Sequence, residues 1–410
     1  MRIDTDVAIL GNGEIIKNAS ICIKENKLIF VGEQEHAPSD NNVTTVPVVT
    51  PGFWDCHTHF FGLKKFDYEE YLLDPMIKIL RCTWDIRETL SAGITSVREV
   101  GGYGIHLKRS IEENTVQGPR IYAAGNMISM TGGHGDIHDL LPEIVPHAHL
   151  GSRITSPIAN GVSECQTKVR TLLRAGAEII KYAASGGVMS QIDSPKNQQY
   201  SLEEQKAIVE EAARAKTSVA AHCYGEEGIK SALEAGVKTI EHGTYLTEEL
   251  ADLMIEKNAI LVPTTYVYKG LFDTPEAKER TPEYGYQKGQ EILKSHMNML
   301  HMAIKKKVTI ALGTDIIITG PYHPIYKYGD NLRELSYLVE AGMSPMDAIV
   351  AGTGNGPKTL GFRMPNSGVL QEGYDADLVL FKKNPLKDIS MLTDKSNILK
   401  VIRQGKIVAD

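Results

Sequence analysis

Two histidines separated by one residue are the first feature of this sequence that could do chemistry. They are His57 and His59, at the end of the stretch TPGFWDCHTH (residues 50–59). In an extended strand, residues i and i+2 point to the same face, so both imidazoles would face one point. Imidazole is a common metal ligand, but a histidine on a strand is also an ordinary core residue. The pair alone therefore leaves both interpretations open.

Four more polar residues each close an apolar run just before a predicted loop. They are Lys181 in IIKYAASGG, His222 in VAAHCYG, His242 in TIEHGTYL and Asp315 in ALGTDI. Each has an ordinary explanation when taken alone, such as a core histidine, a lysine paired with a carboxylate or an aspartate in a turn. Together with the histidine pair they form the inventory of a metal site. If these residues had no common role, chance would have placed metal-ligating residue types at five separate strand ends.

The segments that carry these residues alternate between apolar strands and helical patterns. Eight apolar runs occur between residues 50 and 315, and most precede a segment with helical periodicity. This alternation predicts a parallel sheet of the α/β class. Eight units over roughly 300 residues predict a (β/α)8 TIM barrel, whose strands direct their carboxyl ends at one catalytic face. The alternative is a doubly wound open sheet, which is disfavoured because no GxGxxG motif opens the first unit.

The sequence pattern at both ends of the chain differs from that of the middle. Residues 1–49 and 363–410 contain short alternating strands interrupted by Asn and Gly. We predict that these two segments pair into one small β-sandwich domain, assembled from discontinuous parts of the chain. The barrel would then occupy residues 50–362.

Composition restricts the classes of partner. The 410 residues carry a net charge of −7 and no long basic run, which argues against nucleic acid or an anionic membrane as the main partner. No apolar run approaches the length needed to span a membrane, and the first residues lack the apolar core of a signal peptide. The five cysteines form no CxxC motif, so we expect reduced thiols. These features predict a cytoplasmic protein that acts on small molecules.

With these residues in hand, the sequence resembles the metal-dependent amidohydrolase superfamily. The resemblance is carried by PGFWDCHTH, IKYAASGGVMSQ, AAHCYG, IEHGTYL, LGTD and the tail GVLQEGYDADLVLFKKN. The motifs TGGHGD (131–136) and SGGVMSQ are similar to the branch of Xaa-Pro and Xaa-Arg/Lys dipeptidases or carboxypeptidases, which includes ochratoxin-type amide hydrolases. The HxH motif alone is a weak signal, whereas the ordered set HxH, K, H, H, D is specific.

The resemblance implies a centre of two divalent metal ions, most often zinc. The implied ligands are His57, His59 and Asp315 for one ion and His222 and His242 for the other, with carboxylated Lys181 (N6-carboxylysine) and a hydroxide bridging them. The hydroxide would be the nucleophile, and Asp315 would pass its proton to the leaving amine.

Three further residues are predicted to contact the substrate, and two of them, Tyr224 and His134, also to take part in catalysis at the reaction centre. Tyr224 lies two residues after His222, where its phenol would bond the oxyanion of the tetrahedral intermediate, or alternatively would only pack at the rim. His134 lies in a glycine-rich loop after the third strand. His323 lies in the long aromatic loop after Asp315, where tyrosines 322, 326 and 328 would join it at the substrate entrance. His138 and the second HxH motif, at residues 147–149, are interpreted as parts of a loop on the same face.

The implied activity is hydrolysis of an amide bond next to a free carboxylate, by a dipeptidase or an N-acyl amino acid hydrolase. One alternative is hydrolysis of a cyclic amide or amidine, as in imidazolonepropionase-like relatives, which Lys181 disfavours because those mononuclear sites need no bridging carbamate. Another is a non-catalytic scaffold, disfavoured because every expected ligand is present. The resemblance also implies a homo-oligomer.

Overall fold

The protein is described by a computed structural model, which covers residues 1–138, 140–145, 157–323 and 326–409. Within these ranges the strands are β1 Arg2–Ile9, β2 Ile15–Lys24, β3 Lys27–Glu33, β4 Val43–Pro51, β5 Phe53–Leu63, β6 Ile94–Glu99, β7 Arg120–Ala123, β8 Ile179–Ala183, β9 Ser218–Cys223, β10 Thr239–His242, β11 Ile260–Val262, β12 Ile316–Ile318, β13 Leu378–Phe381, β14 Ile398–Arg403 and β15 Lys406–Ala409.

Helices follow most of the central strands. Within the same ranges they are α1 Tyr68–Leu72, α2 Pro75–Ser91, α3 Gly104–Glu112, α4 Gly161–Ala175, α5 Leu202–Arg214, α6 Glu226–Ala235, α7 Glu248–Glu256, α8 Thr265–Phe272, α9 Ala277–Arg280, α10 Glu283–Lys305, α11 Arg333–Glu340 and α12 Pro345–Gly352. The capping box expected at α5 is present, with Ser201 and Glu204 bonded to each other's backbone amides. Among the described helices, none is long and apolar enough to cross a membrane.

Both ends of the chain contribute to one sheet of seven strands, in the order β15-β14-β13-β4-β1-β2-β3. The amino-terminal β4 is its junction, because it pairs parallel with β1 and antiparallel with β13. Side chains on this sheet form a separate apolar cluster that includes Ile3, Ile21, Val49 and Leu378. The two ends therefore share one sheet, while the β-sandwich and the division into domains at residues 49/50 and 362/363 stay predictions.

The central strands form two parallel sheets of four, with the orders β12-β5-β6-β7 and β11-β10-β9-β8. Strands such as β8 and β9 are buried along their whole length, which explains their nearly continuous apolar sequences. Ile128, which follows β7, donates its backbone N–H to Lys181 O of β8 (2.8 Å), and Cys56 N of β5 donates to Leu312 O (2.8 Å) in the segment before β12. The predicted α/β class with parallel strands is confirmed.

All five cysteines lie within the described ranges, and each is buried and free of a disulfide.

Candidate metal centre and active site

The six predicted metal ligands line one cavity of about 200 Å³. They come from five strands or strand ends: His57 and His59 from β5, Lys181 from β8, His222 from β9, His242 from the end of β10 and Asp315 from the residue before β12. The structure thus brings together residues that are separated by more than half of the chain.

His57 and His59 converge on the carboxylate of Asp315. Their Nε2 atoms lie 3.3 and 3.1 Å from Asp315 Oδ1, and ligand atoms of all three residues lie within 4.8 Å of one another. The opposite nitrogen of each ring meets an acceptor, because Nδ1 of His57 lies 2.8 Å from Glu241 Oε2 and Nδ1 of His59 lies 2.8 Å from Gly101 O. A ring that donates its Nδ1 proton to this acceptor turns its Nε2 toward the carboxylate of Asp315. A cation between these acceptors would satisfy them.

His222 and His242 show the same arrangement. Nδ1 of His222 lies 3.0 Å from Nε2 of His242. The remaining nitrogens face acceptors: His222 Nε2 lies 3.2 Å from Gly186 O, and His242 Nδ1 lies 2.7 Å from Thr264 Oγ1. Thr264 in turn donates its hydroxyl proton to Pro263 O, so its oxygen accepts from His242. Burial lowers the pKa of both imidazoles well below the usual value, so two lone pairs face each other.

Lys181 is a buried amine whose Nζ has no hydrogen-bond partner among the described residues. Burial lowers its pKa to about 8, which brings the neutral, nucleophilic form of the amine within reach at neutral pH. An unpaired polar group costs roughly 1–3 kcal/mol when it is buried. The Lys181 amine lines the same cavity as four imidazoles and a carboxylate. This set of side chains fits a cavity that binds a partner from outside the protein, such as a metal ion.

Two of the predicted ligands have backbone conformations that favour glycine. His242 has a φ of +71° and Asp315 has a φ of +55°. Left-handed conformations cost non-glycine residues roughly 1–2 kcal/mol each and concentrate at functional sites. At the end of β10 this turn changes the direction of the chain immediately after Glu241, so that both neighbouring side chains reach the centre.

Glu241 supports the centre, although the sequence analysis did not single it out. Its side chain is fully buried between His57 Nδ1 and Arg98 Nη2, at 2.8 and 2.6 Å. Burial opposes its charge most strongly, but Arg98, Lys181 and His57 together outweigh burial and hold the pKa of Glu241 well below its usual value. Arg98 is itself held by Cys56 O and Thr239 Oγ1. The available signal was the acidic residue directly before His242.

Asp55 is a second supporting carboxylate that the sequence analysis missed. It accepts hydrogen bonds from the backbone amides of His57 and Thr314, both at 3.1 Å, and from Asn331 Nδ2 at 2.8 Å. These contacts tie β5 to the segment that ends in Asp315. Asp55 precedes His57 by two residues, so the alternation that relates the two histidines also placed Asp55 on their face.

Tyr224 and His134 both line the cavity. The Tyr224 ring stacks on His242, with centroids 4.9 Å apart and planes 2° apart. The His134 ring stacks on His222 at 4.1 Å and 17°. The structure thus brings both residues to the centre, while their roles toward substrate stay predictions. His138 lines the same cavity, whereas the second HxH motif lies outside the described residues.

A loop between β8 and α5 holds His134. Its Nδ1 lies 3.0 Å from Ser190 Oγ, and the Ser190 hydroxyl donates to Asp193. A Cβ atom at Gly187 would lie 2.0 Å from His134 Nδ1, so this position requires glycine. Lys288 of α10 fastens the loop by donating to the carbonyl oxygens of Ser190 (2.7 Å) and Asp193 (2.6 Å).

The loop after Asp315 differs from the expectation. His323 does not line the cavity of the metal ligands; it lines a neighbouring cavity of about 230 Å³ and accepts a hydrogen bond from Tyr326 N at 2.9 Å. Tyr326 and Tyr328 are buried and donate their hydroxyls to Asp315 O and His59 O. Both tyrosines therefore hold the backbone of ligand residues from behind and do not form an entrance.

The remaining wall of the cavity is mainly apolar. Its apolar and aromatic side chains include Phe61, Leu63, Phe66, Met127, Val188, Met189, Val267, Leu271, Phe272 and Ile317. A small polar centre thus lies at the base of an apolar chamber, as is usual for small-molecule sites.

The sequence profile of the amidohydrolase family matches residues 48–408, and the chain belongs to this family. It is therefore a hydrolase that acts on carbon–nitrogen bonds, as its family and the similar proteins described next indicate. An ochratoxinase from Aspergillus niger is 38% identical over 420 residues, which cover 97% of this chain and 84% of the relative. The crystal structure of A. niger ochratoxinase superposes with a TM-score of 0.90 and 37% identity, covering 100% of this chain and 95% of that one.

Two solved dipeptidase structures are also similar. A Xaa-Pro dipeptidase with bound methionine in its active site has a TM-score of 0.86 and 31% identity, covering 99% of this chain and 98% of that one. A prolidase complexed with N-methylphosphonate-L-proline has a TM-score of 0.87 and 29% identity, with the same coverage. The resemblance inferred from the motifs is confirmed at the level of the family.

Proposed function

We propose that this protein is a metal-dependent hydrolase that cleaves an amide bond next to a free carboxylate, as a dipeptidase or an N-acyl amino acid hydrolase. The observation that carries the proposal is the convergence of the six predicted ligands on one cavity. The similarity to an ochratoxinase and to two prolidase-type dipeptidases supports it further.

We propose that the two parallel sheets form one closed (β/α)8 barrel, with the residues of 50–362 as the catalytic domain and 1–49 with 363–410 as the second domain. The hydrogen bonds between Ile128 and β8 on one side support closure. On the other side, Ala311 N donates to Leu261 O (2.9 Å) and Cys56 N donates to Leu312 O, so the segment before Asp315 would be the eighth strand.

The donor set fits two divalent ions, which we propose to be zinc. His57, His59 and Asp315 would hold one ion, and His222 and His242 the other. Lys181 would bridge them as N6-carboxylysine, which replaces an unpaired buried amine with an anionic group. The ions, when bound, would activate a water molecule as nucleophile and polarise the scissile carbonyl.

The protein's own side chains would complete the reaction. The Asp315 carboxylate would accept a proton from the attacking water and return it to the nitrogen of the leaving amine. The Tyr224 hydroxyl would donate a hydrogen bond to the carbonyl oxygen as negative charge develops there. His134 would bind substrate from the loop that Lys288 fastens.

The apolar wall supports substrates with apolar or aromatic side chains. Small molecules would thus be the partners of this protein, with no role for nucleic acid or membrane. The free, buried cysteines support a cytoplasmic location. Assembly into a homo-oligomer is a further part of the proposal.

A substrate panel tests the proposed function. Zinc-loaded protein would be incubated with dipeptides and N-acyl amino acids whose side chains range from charged to aromatic, each paired with the same compound carrying a carboxamide in place of the free carboxylate. We expect hydrolysis of the free acids with apolar side chains. The carboxamide analogues should be hydrolysed at least about tenfold more slowly, because the contact between the substrate's free carboxylate and the protein would be worth more than about 1.4 kcal/mol. Faster hydrolysis of hydantoins or imidazolones would contradict the proposal.

A further inference from the structure

We propose that Tyr268 is a positioning residue for Tyr224: its hydroxyl donates to the Tyr224 oxygen and so leaves the Tyr224 proton for a substrate oxygen in the cavity. The inference rests on the proposed function, in which Tyr224 stabilises the oxyanion. No motif in the sequence analysis pointed to Tyr268, which lies on α8.

The hydrogen-bond inventory of the two phenols carries the proposal. Tyr268 OH donates to Tyr224 OH over 2.9 Å, and both side chains are buried, with 1% and 4% of their surface exposed. The Tyr268 hydroxyl has two side-chain neighbours, Tyr224 and Thr264, and its single proton goes to Tyr224. The described residues offer no hydrogen-bond acceptor for the Tyr224 proton, and Tyr224 lines the cavity. A substrate oxygen would be the missing acceptor.

Both rings are held rigidly. Tyr224 stacks flat on the ring of His242, and Tyr268 packs against His296 of α10 with centroids 4.5 Å apart. His296 is fixed by Thr244 Oγ1 at 3.0 Å and Thr265 Oγ1 at 3.3 Å. Strand β9 and helices α8 and α10 therefore fix the direction of the Tyr224 hydroxyl before substrate arrives, which is the condition for effective stabilisation of a transition state.

The bond also changes the strength of Tyr224 as a donor. A hydroxyl oxygen that accepts a hydrogen bond becomes more polarised and donates its own proton more strongly. In a buried cavity this effect is not weakened by bulk water. Tyr268 would thus contribute to kcat through Tyr224, and it would have little effect on the binding of substrate in its ground state.

The test compares Tyr224→Phe, Tyr268→Phe and the double variant, using the fastest substrate of the panel. We expect Tyr224→Phe to lower kcat by about 100-fold. Tyr268→Phe should lower kcat by about 5- to 10-fold with KM changed by less than about twofold, because it weakens and misdirects a donor without removing it. The double variant should match Tyr224→Phe within about twofold, since Tyr268 acts only through Tyr224.

Tyr266→Phe is the matched control. It removes another buried phenol from α8, whose hydroxyl accepts from Lys327 N and does not line the cavity, so kcat should stay at the wild-type value. Zinc content and thermal unfolding would be measured for every variant.

Three outcomes would overturn the inference. If Tyr268→Phe keeps or raises kcat, the bond runs from Tyr224 to Tyr268 or has no function. If the kcat losses of the two single variants multiply in the double variant, Tyr268 acts independently of Tyr224. If Tyr268→Phe loses zinc, its role is structural. By contrast, full activity of Tyr224→Phe would contradict the oxyanion role in the proposed function itself.

A binding measurement covers the case in which no panel member is hydrolysed. N-methylphosphonate-L-proline, the ligand of the related prolidase, carries tetrahedral oxygens that would meet Tyr224. Tyr268→Phe should weaken its binding to the zinc-loaded protein about fivefold and leave binding of L-proline unchanged. Equal binding by wild type and variant would overturn the inference.

Discussion

His222 and His242 face each other across 3.0 Å, nitrogen to nitrogen, while the other nitrogen of each ring is engaged by an oxygen. Protonated rings would not be stable here, because burial lowers the pKa of both. Two lone pairs that converge in a buried site indicate that a cation binds between them.

Replacing His222 with Asn should remove one of the two ions. We expect zinc, measured by inductively coupled plasma mass spectrometry, to fall from about two ions per chain to about one, because each structural ligand contributes strongly to affinity. His301→Asn is the control, since His301 bonds Ala341 O and does not line the cavity. Equal zinc content in wild type and His222→Asn would contradict the assignment of the second site.

Lys181→Ala should lose metal and recover part of it in the presence of short carboxylic acids. The removed side chain leaves space in which an acid supplies the anionic oxygens proposed for the carboxylated lysine. Activity and zinc content would be measured with added propionate, and propionamide of equal size serves as the control. Full zinc occupancy without any acid would exclude a bridging role for Lys181.

Asp315→Asn should keep the fold and nearly abolish turnover, with kcat reduced by at least about 1000-fold, because an amide cannot accept and return a proton. Circular dichroism and zinc content would establish that the variant is folded and loaded. Asp347→Asn, at the exposed start of α12, should have wild-type kcat. Unchanged hydrolysis by Asp315→Asn would exclude its part in proton transfer.

Lys288→Met should loosen the loop that holds His134. Three carbonyl oxygens, of Gly187, Ser190 and Asp193, lose their donor, so we expect kcat/KM to fall about tenfold. Zinc content should stay constant, because Lys288 does not touch the ligands. The exposed Lys294 lies on the same helix, and Lys294→Met should retain full activity. Wild-type activity of Lys288→Met would show that the loop keeps its position without Lys288.

His296 should make the free energy of unfolding depend on pH. Burial lowers its pKa to about 3, while the unfolded chain titrates near the ordinary value of about 6.5. The unfolded state therefore binds more protons, and stability present above pH ~6.5 is lost as pH falls toward 3. When the pH falls from about 7.5 to about 5, the free energy of unfolding should fall by about 2 kcal/mol less in His296→Gln than in wild type.

Urea titrations at both pH values measure this effect. His106→Gln, at an exposed position of α3, is the matched control and should preserve the wild-type dependence. An identical dependence in wild type and His296→Gln would contradict the prediction.

The sequence predicted which six residues meet in the cavity because each ends an apolar strand, where local periodicity is informative, while their role as metal ligands stays a prediction. It did not predict Arg98, whose bond to Glu241 joins residues 143 positions apart. Nor did it predict Lys288, which acts from a helix on a loop 95 or more positions earlier. Such contacts depend on how elements pack, and a single sequence carries no periodic signal for them.

The segment after Asp315 shows a second limit. Its aromatic composition suggested an entrance, but the hydroxyls of Tyr326 and Tyr328 donate to Asp315 O and His59 O, behind the predicted ligands. Composition identified the region as unusual, whereas the direction of these side chains depends on contacts with residues 11 and 269 positions away, for which the sequence carries no periodic signal.

The position of β4 has a consequence for biosynthesis. This strand leads within two residues into β5, yet its outer neighbour, β13, lies more than 300 residues later in the chain. During translation, the edge of β4 stays unpaired until β13 has emerged from the ribosome, so the seven-stranded sheet is completed only after the segment that carries the predicted ligands. A nascent chain that stalls before residue 378 would carry every proposed metal ligand and still present an open sheet edge to chaperones.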